Sequence, residues 1–167
     1  MATIPATSTY VAGEKPTAAK LNANGKTALD FLLNPPTFQA AESTSTAAAN
    51  GTWTKVALPV FTWNNDGVTY SSGDISIKTA GLYLVTGELS FAANSTGRRI
   101  CELYLNGVGT GWIVHISAAG GGGPTNVSFS KMMRFAVNDT LNQQVYQDSG
   151  GSLNTAGCYL QARWMNL

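Results

Sequence analysis

Residues 147–153 read QDSGGSL, and an Asp-Ser-Gly-Gly string can present a serine hydroxyl on a tight turn. For Ser149 to act as a nucleophile it needs a general base within reach, and that base needs a group to orient it. Asp148 precedes the serine, but the chain has a single histidine, His115, in WIVHISAAG. Other chemistries are no better supplied. No Cys, His or carboxylate spacing suits a metal, and no glycine-rich strand-to-helix turn suits a phosphate or dinucleotide. Asp66 and Asp74, in NNDGVTYSSGD, could hold Ca²⁺ through oxygen-rich loops, with turn formation the expected use of both. Arg98 and Arg99 after NSTG read as two charges on a solvated turn, and Gly120 to Gly123 before Pro124 as a flexible loop. No catalytic residue, metal or cofactor is expected.

The string around Ser149 resembles the surroundings of the nucleophile in chymotrypsin-like serine proteases. That family builds two barrels around its site, and this chain is too short for them. His115 also lacks the family's flanking motif. DSGG falls between two strand patterns, NQQVYQ and CYLQARW, where Asp, Ser and Gly serve a turn. Ser149 therefore reads as a loop residue and His115 as a strand residue on a polar or partly covered face.

Composition sets the frame for these residues. The 167 residues suit one domain with an extra arm. Charged residues make up only 11% and the net charge is +1, so neither nucleic acid nor an anionic membrane is expected as a partner. No run is long and apolar enough for membrane insertion. MATIPATSTYVAG has no basic start and no apolar stretch of a secretory leader, which predicts assembly in a cytoplasm. Cys101 and Cys158 then read as buried free thiols, and Asn94, Asn126 and Asn138 as chance matches to the glycosylation pattern.

One helical pattern is present, over 17–33. Ala18, Leu21, Gly25, Ala28 and Leu32 recur at heptad spacing, Pro16 and Thr17 stand at the start, and Pro35-Pro36 stop it. Asn22, Asn24 and Gly25 weaken its middle. So thin a stripe must dock on its own domain, on copies or on a partner. Residues 37–52, small and polar, read as a linker. From Trp53 onward, about eight short apolar runs separated by turn residues predict an antiparallel β-sandwich over 53–167.

Alternation assigns faces. Tyr83, Val85, Leu89 and Phe91 share a core face, as do Cys101, Leu103 and Leu105, and Cys158, Leu160, Ala162 and Trp164. The opposite faces carry Ile100, Tyr104, Tyr146, Tyr159 and Met165. A monomer would leave such a patch wet, so self-association is expected.

The order of features from 61 to 167 resembles the TNF-like jelly roll, shared with the globular heads of the first complement component. The carrying residues are the Gly-x-Tyr strand TAGLYLVTGELSF, the Asn-Gly end of CELYLNG, the strand start FAVNDTLNQQVYQ and the closing strand CYLQARWM. NDT stands where the family usually has Gly-Asp. The resemblance implies a homotrimer packed through the outer face of one sheet, here Ile100, Tyr104, Tyr146, Tyr159 and Met165.

The first 36 residues resemble the start of tailed-bacteriophage structural proteins, through Gly13, Glu14, Ala18, Ala19, Leu21, Asn22 and Pro35 of YVAGEKPTAAKLNANGKTALDFLLNPP. This implies an attachment arm over 1–36, with Gly13, Glu14, Ala18, Leu21, Leu29 and Leu32 meeting other virion proteins of a capsid or tail. The expected function is a virion decoration, fibre or minor tail protein. The alternative is a module that binds a host-surface receptor, glycan or protein. Trp112 is the one receptor-contact residue the sequence suggests, with core packing as its other reading.

Overall fold

The computed structural model describes residues 9–166. Among them, twelve strands form two antiparallel sheets. The first sheet runs in the order β10 (Thr125–Phe135), β7 (Gly81–Phe91), β12 (Leu153–Asn166), β1 (Thr37–Ala41) and β4 (Val60–Asn64), with β2 (Ala47–Ala48) beside β12. The second runs β5 (Thr69–Ser71), β6 (Asp74–Ser76), β11 (Thr140–Gln147), β8 (Arg98–Leu105) and β9 (Val108–Ser117), with β3 (Thr54–Lys55) also against β11. Sequence-distant pairs such as β7–β12 and β8–β11 make the chain cross repeatedly between sheets, which is the jelly-roll connection.

Strict alternation drives the packing. On β7 every second residue is buried, and Tyr83, Val85, Leu89 and Phe91 have no exposure. Cys101, Leu103, Leu141 and Val145 from the second sheet meet Cys158, Leu160 and Ala162 from the first. Both cysteines are free and buried, and burial pushes the Cys101 thiol up to about 12.

The expected linker over 37–52 is not one. Its first residues form β1, held between β12 and β4, with Phe38 and Ala40 fully buried. The strand has only two inward positions, Phe38 and Ala40. The head therefore begins at Thr37, not at Trp53.

The helical segment consists of α1 (Ala18–Leu21), a wider π turn over Asn22–Lys26 and α2 (Thr27–Leu33). Thr17 caps its start, accepting a hydrogen bond from the Lys20 amide at 3.3 Å. The π turn covers Asn22, Asn24 and Gly25, the weak helix formers, so the weakness appears as a widened turn and not as a break. Residues 1–8 of the expected arm lie outside the described residues.

The sandwich has two distinct poles. The arm enters at Pro36, where the Trp164 amide donates to the Pro36 carbonyl at 2.8 Å, and the β6–β7, β8–β9 and β10–β11 turns share that pole. The segments joining β1 to β2, β2 to β3, β7 to β8, β9 to β10 and β11 to β12 gather at the other. The eleven residues of β7 separate the poles by on the order of 30 Å.

Candidate functional site

Ser149 lies in the β11–β12 loop at the pole far from the arm. Its hydroxyl donates to the Gln147 side-chain oxygen at 2.6 Å, and its amide donates to the same oxygen at 2.8 Å. The Gln147 amide group donates in turn to the carbonyls of Ala48 at 3.0 Å and Gly151 at 2.7 Å. Asp148 is engaged by Arg98, through the Arg98 amide and through Nε at 2.9 Å. These bonds hold the Asp148 carboxyl below the usual carboxylate range. His115 lies exposed on β9, opposite Ile100 of β8. The QDSGG string is thus a loop staple.

Arg99 is the second half of that staple, and it corrects the solvated turn expected at Arg98-Arg99. It is 0% exposed, whereas the Arg98 side chain is 56% exposed. The Arg99 guanidinium donates to the carbonyls of Thr96 (2.9 Å), Arg98 (3.0 Å) and Asn94 (3.1 Å), and lies 5.6 Å from the Phe91 ring centre. Burial lowers its pKa. Arg99 and Gln147 are register partners on β8 and β11. The alternation that places Cys101 and Leu103 inside places Arg99 inside as well. That signal was present in the sequence, and charge alone argued against it.

Together these groups lock four loops into one crown. The Asn50 side chain accepts from the Gly150 amide at 2.7 Å, and the Gly51 amide donates to the Gln147 carbonyl at 2.7 Å. The Ala118 amide donates to the Gly97 carbonyl at 3.0 Å. Gly97 has φ +77°, and a Cβ there would collide with the Asp148 backbone, so glycine is required at that close approach. Gly120 to Gly122 lie exposed between β9 and β10.

At the arm pole, Gly13 turns the chain with φ +82°. Glu14 then accepts from the Val11 amide at 3.1 Å and ion-pairs with Lys20. The Lys20 bond, followed by the Val11 amide, lowers the Glu14 pKa. Lys20 also donates to the Thr9 carbonyl at 3.2 Å and lies 5.5 Å from the Tyr10 ring centre. Residues 9–20 therefore form a hook folded back on the helix. The helix itself buries only Phe31, which meets Trp164 edge-on at 4.9 Å and 84°. Leu21, Leu29 and Leu32 of the expected attachment set are exposed, as are Ala18 and Leu33.

The five residues expected on one interface face are divided between both sheets. Ile100, Tyr104 and Tyr146 lie on the second sheet, and Tyr159 and Met165 lie on the first. The second-sheet group is partly covered within the chain, with Tyr104 and Tyr146 half-buried. Trp53 lies 5.7 Å from Tyr146 and 6.2 Å from Tyr104, and Ile100 is buried. Face alternation was legible in the sequence, but neither the sheet membership of β12 nor the cover by Trp53 was. The outer side of the first sheet carries a groove of about 320 Å³, lined by Trp63, Leu84, Thr86, Gln161 and Arg163, which continues through Leu84 and Arg163 to a second of about 370 Å³ beside Leu32 and Met165. Trp112 is 41% exposed with Lys131 5.5 Å from its ring centre, so it is not core.

Asp66 and Asp74 have structural partners. Asp66 is buried and accepts from the Thr79 amide (3.2 Å) and hydroxyl (2.5 Å). Asp74 pairs with Lys55 at 3.0 Å and accepts from Asn142 at 2.7 Å. Among the described residues no group of three His, Cys, Asp or Glu could hold a metal ion, and no helix is long and apolar enough to cross a membrane.

Two antiparallel sheets with jelly-roll crossovers and a closing strand β12 beside β7 make a TNF-like jelly roll. Solved structures of that shape include the globular domain of a zebrafish complement 1qA protein, with 13% identity, 78% of this chain and 97% of that one, and a TM-score of 0.54. Murine APRIL has 11% identity, 78% and 98% coverage and a TM-score of 0.60. The PRD1 vertex protein has 19% identity, 78% and 73% coverage and a TM-score of 0.58. At these identities the likeness is one of fold. In sequence, the chain is 27% identical over 149 residues to an uncharacterized protein of Acanthamoeba polyphaga mimivirus, covering 77% of this chain and 63% of that protein. The chain thus spans less than two thirds of that relative's length. No family model matches the chain.

Proposed function

We propose that the chain is a homotrimeric, non-catalytic structural component of a phage virion. Its arm docks on a capsid or tail protein, and its head projects outward. One observation carries this reading: a hook and helix with their own internal bonds stand at one pole and present Leu21, Leu29, Leu32 and Leu33 to solvent. An apolar stripe left bare by its own domain calls for a foreign partner. The Gly-Glu, Ala-Ala, Leu-Asn pattern of tailed-phage structural proteins and the fold shared with the PRD1 vertex protein support the same assignment.

The trimer contact is assigned to the outer face of the first sheet, where Tyr159 and Met165 are joined by Trp63, Leu84 and Met132. Of the five residues first considered, Ile100, Tyr104 and Tyr146 are set aside because they lie on the other sheet. Sedimentation tests the trimer. The full chain is expected at three times its monomer mass, and Leu84→Asp is expected to be monomeric, since a carboxylate in a dry interface opposes association. A monomeric wild type at micromolar concentration overturns the trimer. Deletion of 1–36 tests the arm: the head should fold yet fail to join the particle, and full incorporation would move attachment to the head.

A second reading, a module that binds a host receptor, is favoured by the crown. A rigid, hydrogen-bonded loop surface at the pole away from the arm is where a projecting head would meet a cell.

A further inference from the structure

We propose that the π turn over Asn22–Lys26 sets the phase of the attachment helix, turning Leu21 into line with Leu29 and Leu33 so that the arm fits an apolar groove on its virion partner. This rests on the reading of the arm as the attachment element and names what the partner presents. The first ground is the turn itself. The Thr27 amide donates to the Asn22 carbonyl, five residues back, where an α-helix bonds four back. One residue is thereby absorbed without advancing the helix, and everything before it is rotated by about 100° relative to everything after it. Leu21 and Leu29 are eight positions apart. In an unbroken α-helix that spacing leaves two side chains about 80° apart, on different faces. With one residue absorbed they are placed like residues seven apart, about 20° from each other and on one face.

The second ground is the stripe that results. Counted from Leu29, Leu33 lies about 40° to one side, Leu32 about 60° to the other and Phe31 about 160° away. The four leucines thus share a stripe about 100° wide on the side away from Phe31, the residue that docks the helix on Trp164. All four are between 54% and 74% exposed. An unbroken helix held by the same Phe31 would turn Leu21 out of the stripe. The turn is made of Asn22, Asn24 and Gly25, which give up helix stability, and what it gains is a stripe that runs through both α1 and α2.

The third ground is charge, which decides what the partner presents. Lys26 and Asp30, beside the stripe, pair with each other, and Glu14 and Lys20 of the hook do the same. Lys15 is the remaining charge of residues 9–36, and it lies in the hook before the helix begins. Along the helix no charge is left for an acidic or basic surface to read. Apolar anchors at these spacings on one helix face are what a helix lays into an apolar groove.

The test adds the purified full chain to particles assembled without it and titrates the occupancy. Deleting Gly25 removes the absorbed residue, so the π turn closes to an α turn, the leucines stay in line and binding should be unchanged. Deleting Asn24 and Gly25 together turns Leu21 about 100° out of the stripe and should weaken binding about tenfold, the effect of one lost leucine anchor. Leu21→Ala changes an exposed side chain, should weaken binding by about as much, and covers the case in which a deletion variant does not fold. Binding lost on deletion of Gly25 with the helix intact by circular dichroism overturns the proposal. So does binding kept on the double deletion, or Leu21→Ala that binds like the wild type. The chain lacking residues 1–36 separates the two levels. If that head binds at full occupancy, attachment by the arm is itself overturned; if it does not bind while the deletions are indifferent to phase, the proposal alone falls.

Discussion

Phe31→Ala should release the arm from the head without unfolding the head. Phe31 is 9% exposed and is the one buried side chain of the helical segment, so the docked state rests heavily on it. Burying a phenylalanine contributes about 1.5–3 kcal/mol, and an edge-on aromatic pair adds about 0.5–1.5 kcal/mol. Their loss, about 2–4.5 kcal/mol, shifts the docking equilibrium between about thirtyfold and about two-thousandfold. A released helix of residues 18–33 is too short to persist in water, and its π turn weakens it further. The head should be little affected, because Trp164 stays anchored by its indole N–H to the Ala80 carbonyl at 3.1 Å. Amide exchange on the full chain should show protection lost over 18–33 and kept over β7 and β12, with a drop in helical circular dichroism and an almost unchanged thermal midpoint. Protection over 18–33 that survives the substitution would refute the claim that this one side chain docks the arm.

Asp148→Asn should destabilise the crown in a pH-dependent way. The Arg98 amide and guanidinium lower the Asp148 pKa from its usual 3.8, so its contribution is full above about pH 4 and is lost as the pH falls through the lowered value. The stability gap between wild type and variant should therefore be widest near pH 7 and close as the pH falls through the lowered value; a gap independent of pH would refute the role of the charge. Cys101, pushed up to about 12 by burial, and Cys158, raised by burial and by Glu42, should resist a neutral thiol reagent in the native chain at about pH 8 and react after unfolding. Fast labelling of the native chain would show that the core opens.

Alternation along β7, β8 and β12 placed Tyr83, Leu103 and Leu160 inside from sequence alone, because side-chain direction in a strand is a local property with a period of two. Proline, threonine and glycine likewise marked the helix ends and the loop around Ser149, since backbone restrictions are local too. What lies across a sheet is not local. Phe38 and Ala40 gave too short a pattern to reveal β1, which becomes a strand only because β12 and β4 flank it. Tyr159 and Tyr146 follow the same alternation, but the crossover connections put them on different sheets. Trp53 covers Tyr104 across a gap in the chain that no periodicity spans. Arg99 went inside against its charge because three backbone carbonyls converge on its guanidinium, and only the folded chain brings those carbonyls together.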